Sequence, residues 1–189
     1  MIIEWIIRKV ITQKKRFQCS RNPVKYARSL GVKVGEGTRF YGAAPETFST
    51  EPWVITLGRN CKIAPEVLFV THDGGTLTLE EDPGRFVIVG DIVLGDNVYV
   101  GTRSILLPGV RIGENTIIGA GSVVTKDIPA NCVAVGTPCK VIKSREAYIE
   151  KVKSIMNGEN QRYYSDLDYL HSLDPRAPHH FEEKKLAAD

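Results

Sequence analysis

No apolar run in the sequence approaches the ~20 residues that a membrane-spanning helix needs. The amino end, Met1-Ile2-Ile3-Glu4-Trp5-Ile6-Ile7, lacks the basic leader of a secretory signal and is broken by Glu4. There is no Cys-x-x-Cys pair. The cysteines stand at 19, 61, 132 and 139, outside any Cys/His cluster, which argues against zinc ligation and a thioredoxin-like redox motif. Reduced thiols in a cytoplasmic protein are the expectation. Charge of one sign is scarce too. Twenty-five Lys and Arg against 22 Asp and Glu leave +3 over 189 residues, too mild a balance for a nucleic-acid binder. No nucleic-acid partner is expected.

What the chain does hold is an ordinary globular balance, 42% hydrophobic and 25% charged, with many turn formers: 17 Gly and 10 Pro. Three regions separate by composition. Residues 1–30 carry Ile3, Ile6, Ile7, Val10 and Ile11 at helical spacing, followed by Lys14, Lys15 and Arg16. Such a helix packs on the main domain or a neighbouring subunit, which is the favoured reading, or makes a weak contact with an anionic membrane surface. Residues 31–143 are rich in Val, Ile and Gly. The tail, 144–189, is polar and charged, with helical patterns at 145–156 and 166–171.

The middle region repeats every six residues. Hexads begin at Leu94, Val100, Leu106, Ile112, Ile118 and Val124, and every first position is Leu, Val or Ile. The fifth positions are Val98, Ser104, Val110, Thr116, Ser122 and Ile128. Neither an amphipathic helix nor a hairpin strand has this period, whereas a parallel β-helix of three flat faces does. First-position side chains then fill a narrow interior, and Gly, Asn and Asp serve the corners. Upstream, Val34, Phe40, Leu57, Ile63 and Phe69 keep the phase. Residues 42–54 and 73–87 break it, and loops extruded there are candidates for binding or intersubunit contact. Past Val124 the phase slips by one, and Val135-Gly136 and Val141 are expected to close the last coil.

These hexads, the segment Ile63-Ala64-Pro65-Glu66-Val67 before Thr71-His72-Asp73-Gly74-Gly75, and the closing Val135-Gly136-Thr137-Pro138-Cys139-Lys140-Val141-Ile142 resemble the hexapeptide-repeat acyltransferases. The match over 31–143 is nearest to the galactoside, maltose and polysaccharide O-acetyltransferase branch. The resemblance implies an all-β fold, a left-handed parallel β-helix with short flanking helices. It also implies a homotrimer with active sites between subunits, acetyl-CoA as donor, and no catalytic metal.

His72 is the only histidine inside the repeat region; His171, His179 and His180 lie in the polar tail. Acyl transfer to a hydroxyl needs a base, because an alcohol is a poor nucleophile until its proton is leaving. An imidazole suits the task. The matching family position assigns His72 that role. Asp73 and Glu66 are candidates to orient it or to contact a sugar, although the family commonly has Asn at Glu66. For the donor, Thr102, Ala120, Thr125 and Lys126 match positions lining the coenzyme groove. Gly119 and Ala120 would permit close approach, and Lys126, Lys140 and Lys143 are candidates for the phosphates. Tyr99 stands where the galactoside branch tends to carry Trp.

Cell-envelope polysaccharide or sugar O-acetylation is therefore the first expectation. N-acetylation of a nucleotide-linked amino sugar and a non-catalytic assembly scaffold are the alternatives. Thr-His-Asp-Gly-Gly and the lack of a long amino-terminal helical domain point away from serine as acceptor. The zinc-dependent γ-carbonic anhydrases share the coil but need three histidines, which one coil histidine cannot supply.

Overall fold

The computed structural model describes residues 2–78 and 86–156. The helical pattern at 166–171 and the three tail histidines lie outside them. Two helices open the chain, α1 (Ile2–Arg21) and α2 (Pro23–Ser29). Asn22 caps α2 by accepting from the Lys25 amide at 2.9 Å, and Pro23 supplies a preset φ at its first position. At 20 residues, or ~30 Å, α1 is longer than the short flanking helix expected.

From Lys33 the chain winds over three parallel faces. The first stacks Lys33–Val34, Ile55–Leu57, Ile92–Leu94 and Arg111–Ile112. The second stacks Arg39–Phe40, Lys62–Ile63, Tyr99–Val100, Ile117–Ile118 and Cys132–Val135. The third stacks Leu68–Phe69, Ile105–Leu106 and Val123–Val124. Leu94 faces Ile112, Val100 faces Ile118 and Leu106 faces Val124, eighteen residues or three hexads apart each time. The sixfold period is thus one face per hexad.

All six first-position residues from Leu94 to Val124, and all six fifth-position residues from Val98 to Ile128, are buried. Full burial of each such aliphatic side chain contributes roughly 1.5–3 kcal/mol. The interior polar groups are satisfied: Thr116 donates to the Pro129 carbonyl at 2.9 Å and Ser122 to that of Gly119 at 2.6 Å. Asn60, Asn97, Asn115 and Asn131 share one corner with φ near +57°. The carboxamide of Asn97 donates to Asn115, and that of Asn115 to Asn131, at 3.1 Å each. Asparagine suits this corner because it tolerates the left-handed region and its side chain bonds along the stack. Gly58 has a different reason, since a Cβ there would lie 2.5 Å from the Gly95 carbonyl.

Four expectations need correction. Residues 42–54 are not an extruded loop. They occupy the third face of the first coil as two single turns, Pro45–Phe48 and Pro52–Val54, and Phe48 fills the interior there. The phase after Val124 slips by two, not one, because Ile128 pairs with Ile112 and Ala134 with Ile118, each sixteen residues on. Ala134 rather than Val135 is the inward residue. Val141 does not close a coil: Lys140–Ser144 turns back antiparallel to Cys132–Val135, leaving Val141 exposed. The compact unit holding the coil ends at Glu146; α3 (Arg145–Met156) carries the chain into a second unit.

Candidate active site

The chain leaves the coil at the end of the third face, just past Phe69. The Gly90 amide donates to the Thr71 carbonyl at 3.0 Å and closes the neck of the departing loop. Within it, His72–Asp73 pairs antiparallel with Ile88–Val89. The opposite wall comes from the first coil. Phe48, fully buried, stacks parallel to Phe69 with centroids 6.5 Å apart and meets Phe40 edge-on at 5.4 Å. That aromatic anchor, a turn at Ser49 (φ 54°) and the buried Pro52 fix Thr50-Glu51 alongside Thr71-His72.

Nδ1 of His72 lies 2.8 Å from Oε2 of Glu51 and 3.1 Å from the Thr50 hydroxyl. Thr71 donates to Glu51 Oε2 at 2.6 Å, and Thr50 donates to Oε1 at 2.7 Å. The Thr71 hydroxyl, followed by those of Thr50 and the ring of His72, holds the Glu51 carboxyl down at about 2 although partial burial works the other way. An ionised carboxylate only accepts, and Thr50 has spent its proton on it. His72 therefore donates from Nδ1–H, which leaves Nε2 as the lone-pair nitrogen. Nε2 has no hydrogen-bond partner among the described residues, and the side chain is 31% exposed. A positioned, accessible proton acceptor results.

Neither carboxylate suggested by the sequence orients His72. Asp73 accepts from the Gly75 amide at 2.8 Å and shapes its own turn. Glu66 pairs with Arg103 Nε at 2.6 Å, both exposed residues at φ near +60° on an adjacent corner. They border a groove of about 440 Å³ that Leu68 and Ile105 also line. Glu51 stands 21 positions before His72. Its only signal was the register break at 42–54, which put it beside no recognisable motif.

The donor candidates divide between corners. Thr102 and Ala120 stack one coil apart, with the Gly121 amide donating to the Thr102 carbonyl at 2.8 Å. Lys140 lies next to them, paired with Val135, whose side chain covers Gly119. A Cβ on Gly119 would lie 2.5 Å from Val135 Cγ1, so coil stacking by itself favours glycine there. Thr125 and Lys126, both exposed, follow Val124 at the corner from which His72 departs, about two strand spacings or ~10 Å further along the stack. Lys143 pairs with Val133, two residues along that strand from the Ala120 corner. On one chain these groups flank the third face rather than forming one cleft. Among the described residues no three His, Cys, Asp or Glu side chains are placed to hold a metal ion. The four cysteines are free and buried.

Residues 91–126 match the model of the bacterial transferase hexapeptide (six repeats). The chain is 44% identical over 142 residues to Protein CapG of Staphylococcus aureus, an alignment covering 75% of this chain and 80% of that protein. The chain belongs to the hexapeptide-repeat transferase family. Several relatives that it matches are named as acetyltransferases. It is 40% identical over 116 residues to the galactoside O-acetyltransferase of Escherichia coli (strain K12), covering 61% of this chain and 56% of that enzyme. This hexapeptide-repeat transferase thus spans little more than half the length of its galactoside relatives. A solved maltose O-acetyltransferase from Clostridium difficile 630 is 27% identical, covering 71% of this chain and 88% of that one at a TM-score of 0.43.

Proposed function

We propose that this transferase moves an acetyl group from acetyl-CoA to a hydroxyl of a sugar or cell-envelope polysaccharide, with His72 as general base. The observation that carries the proposal is the Glu51–His72 pair, which fixes the tautomer that leaves Nε2 to take a proton. As the acceptor oxygen attacks the thioester carbonyl carbon, its proton passes to Nε2. The Glu51 carboxylate stabilises the imidazolium so formed. When the carbon–sulfur bond breaks, the departing thiolate recovers the proton from Nε2, which returns His72 to its starting state.

Acetyl as the group transferred and a saccharide as acceptor rest on relatives named galactoside O-acetyltransferase. In this reading the coil is left-handed and assembles as a homotrimer. The division of Thr102, Ala120 and Lys140 from Thr125, Lys126 and His72 across the third face supports a site completed between subunits. Thr102, Ala120 and Thr125 would line the pantetheine arm, and Lys126, Lys140 and Lys143 would meet the phosphates as point charges. An assembly scaffold would have no use for a histidine held by two hydrogen-bonding side chains, Glu51 and Thr50. The test is a screen of saccharide acceptors with acetyl-CoA, read as free thiol. Acceptor-dependent release is expected, and its absence alongside a lack of coenzyme A binding by calorimetry would favour the scaffold.

A further inference from the structure

One surface lies apart from the site. Every described side chain from Glu4 to Gln18 of α1 is exposed, including Trp5 at 61%, Val10 at 58% and Phe17 at 63%. The helix meets the coil unit only near its carboxyl end. Cys19 is fully buried there, and Arg16 pairs with Glu46 at 3.0 Å. At 100° per residue Ile6, Val10 and Phe17 fall within ~40° of one another, and Cys19 lies on roughly the opposite side. The apolar stripe therefore faces away from the body. Lys9 on one flank and Lys14 and Arg21 on the other lie within ~80° of the stripe.

An exposed helix with this stripe gains little from water and needs a partner. Charge selects which one. Residues Ile2–Arg21 hold six basic side chains against one acidic, Glu4. Two copies meeting through this helix would bring like charges together, whereas an anionic surface would neutralise them. No described helix is long and apolar enough to cross a membrane. We infer that α1 lies in the interface of an anionic lipid membrane, its Ile6–Val10–Phe17 stripe among the acyl chains and its flanking lysines at the headgroups. Such docking would hold the coil at the membrane surface. The inference does not depend on the reaction proposed above.

The test is co-sedimentation of the full chain with vesicles of phosphatidylcholine alone or mixed with phosphatidylglycerol. Binding to the mixed vesicles, weakened by salt, and little binding to the neutral ones are expected. Ile6→Asp with Val10→Asp should abolish it while leaving the thermal unfolding curve unchanged, since both side chains are exposed. Lys9→Gln with Lys14→Gln should lower partitioning roughly tenfold or more. No binding to anionic vesicles, or binding undiminished by Ile6→Asp/Val10→Asp, overturns the inference. So does a loss of oligomer size in that variant without any vesicle binding, which would make the stripe a contact between copies. Acetyl transfer to a soluble acceptor, measured in parallel, reports on the reaction alone.

Discussion

The imidazole of His72 and the carboxylate of Glu51 lie 2.8 Å apart although 21 residues separate them, one at the neck of a departing loop and the other on the first coil. Phe48, stacked on Phe69, makes that meeting possible. A carboxylate held at about 2 by Thr71 and its neighbours stays charged at every pH at which an imidazole serves as base.

Glu51→Gln should keep the shape of the site but remove the charge that supports the imidazolium. A fall in kcat of roughly tenfold or more, with the KM for acetyl-CoA little changed, is expected in steady-state kinetics. An unchanged kcat would reduce Glu51 to a structural role.

The same carboxylate makes a prediction about stability. Its folded value of about 2 lies below the ordinary 4.5, so its contribution is present above pH 4.5 and is lost as pH falls toward 2. At about 1.4 kcal/mol per unit, the shift bounds the contribution at roughly 3 kcal/mol, less after allowance for the solvent that reaches the site. Urea unfolding of wild type and Glu51→Gln should differ by about 1–3 kcal/mol near pH 6, and the curves should converge near pH 2. A difference that grows on acidification would contradict this.

Much of the coil was legible because interior packing and corner geometry each demand particular residues at fixed intervals. Leu94 through Val124 declared both the period and the inward side, and Asn97 and Asn115 marked a corner. What could not be read was the replacement of a strand by a different structure. Phe48 fills a hexad position from within a helical turn, so no sixfold pattern points to it, and Glu51 followed it out of sight. The shortened turn before Ile128 likewise moved Ala134 inward. Gly119 carried an ambiguous signal, because a glycine that admits a ligand and one that admits Val135 look alike in sequence.

Two glycines separate the physical reasons for small residues. Gly58→Ala would put a Cβ 2.5 Å from the Gly95 carbonyl, a clash with backbone that cannot rotate away, and should cost several kcal/mol or prevent folding. Gly109→Ala meets open space and carries only the strain of a φ of +84°, so about 1 kcal/mol is expected. Thermal denaturation of the two variants checks the order.

Lys126→Ala and Lys140→Ala, at different corners of the coil, test whether both reach the donor. Each should raise the KM for acetyl-CoA severalfold with kcat nearly preserved, and the effect should shrink as salt screens the wild-type contacts. Lys143→Ala, three residues further along its strand than Lys140, should have the smaller effect. Equal KM values for Lys126→Ala and wild type would remove that residue from the donor site.

The most direct measurement is acetyl-CoA turnover by His72→Ala, followed as free thiol with an acceptor that the wild type uses, beside calorimetric binding of coenzyme A. A general base at Nε2 predicts a loss of roughly 10²–10⁴ in kcat with coenzyme A affinity retained. Undiminished turnover in His72→Ala would contradict it.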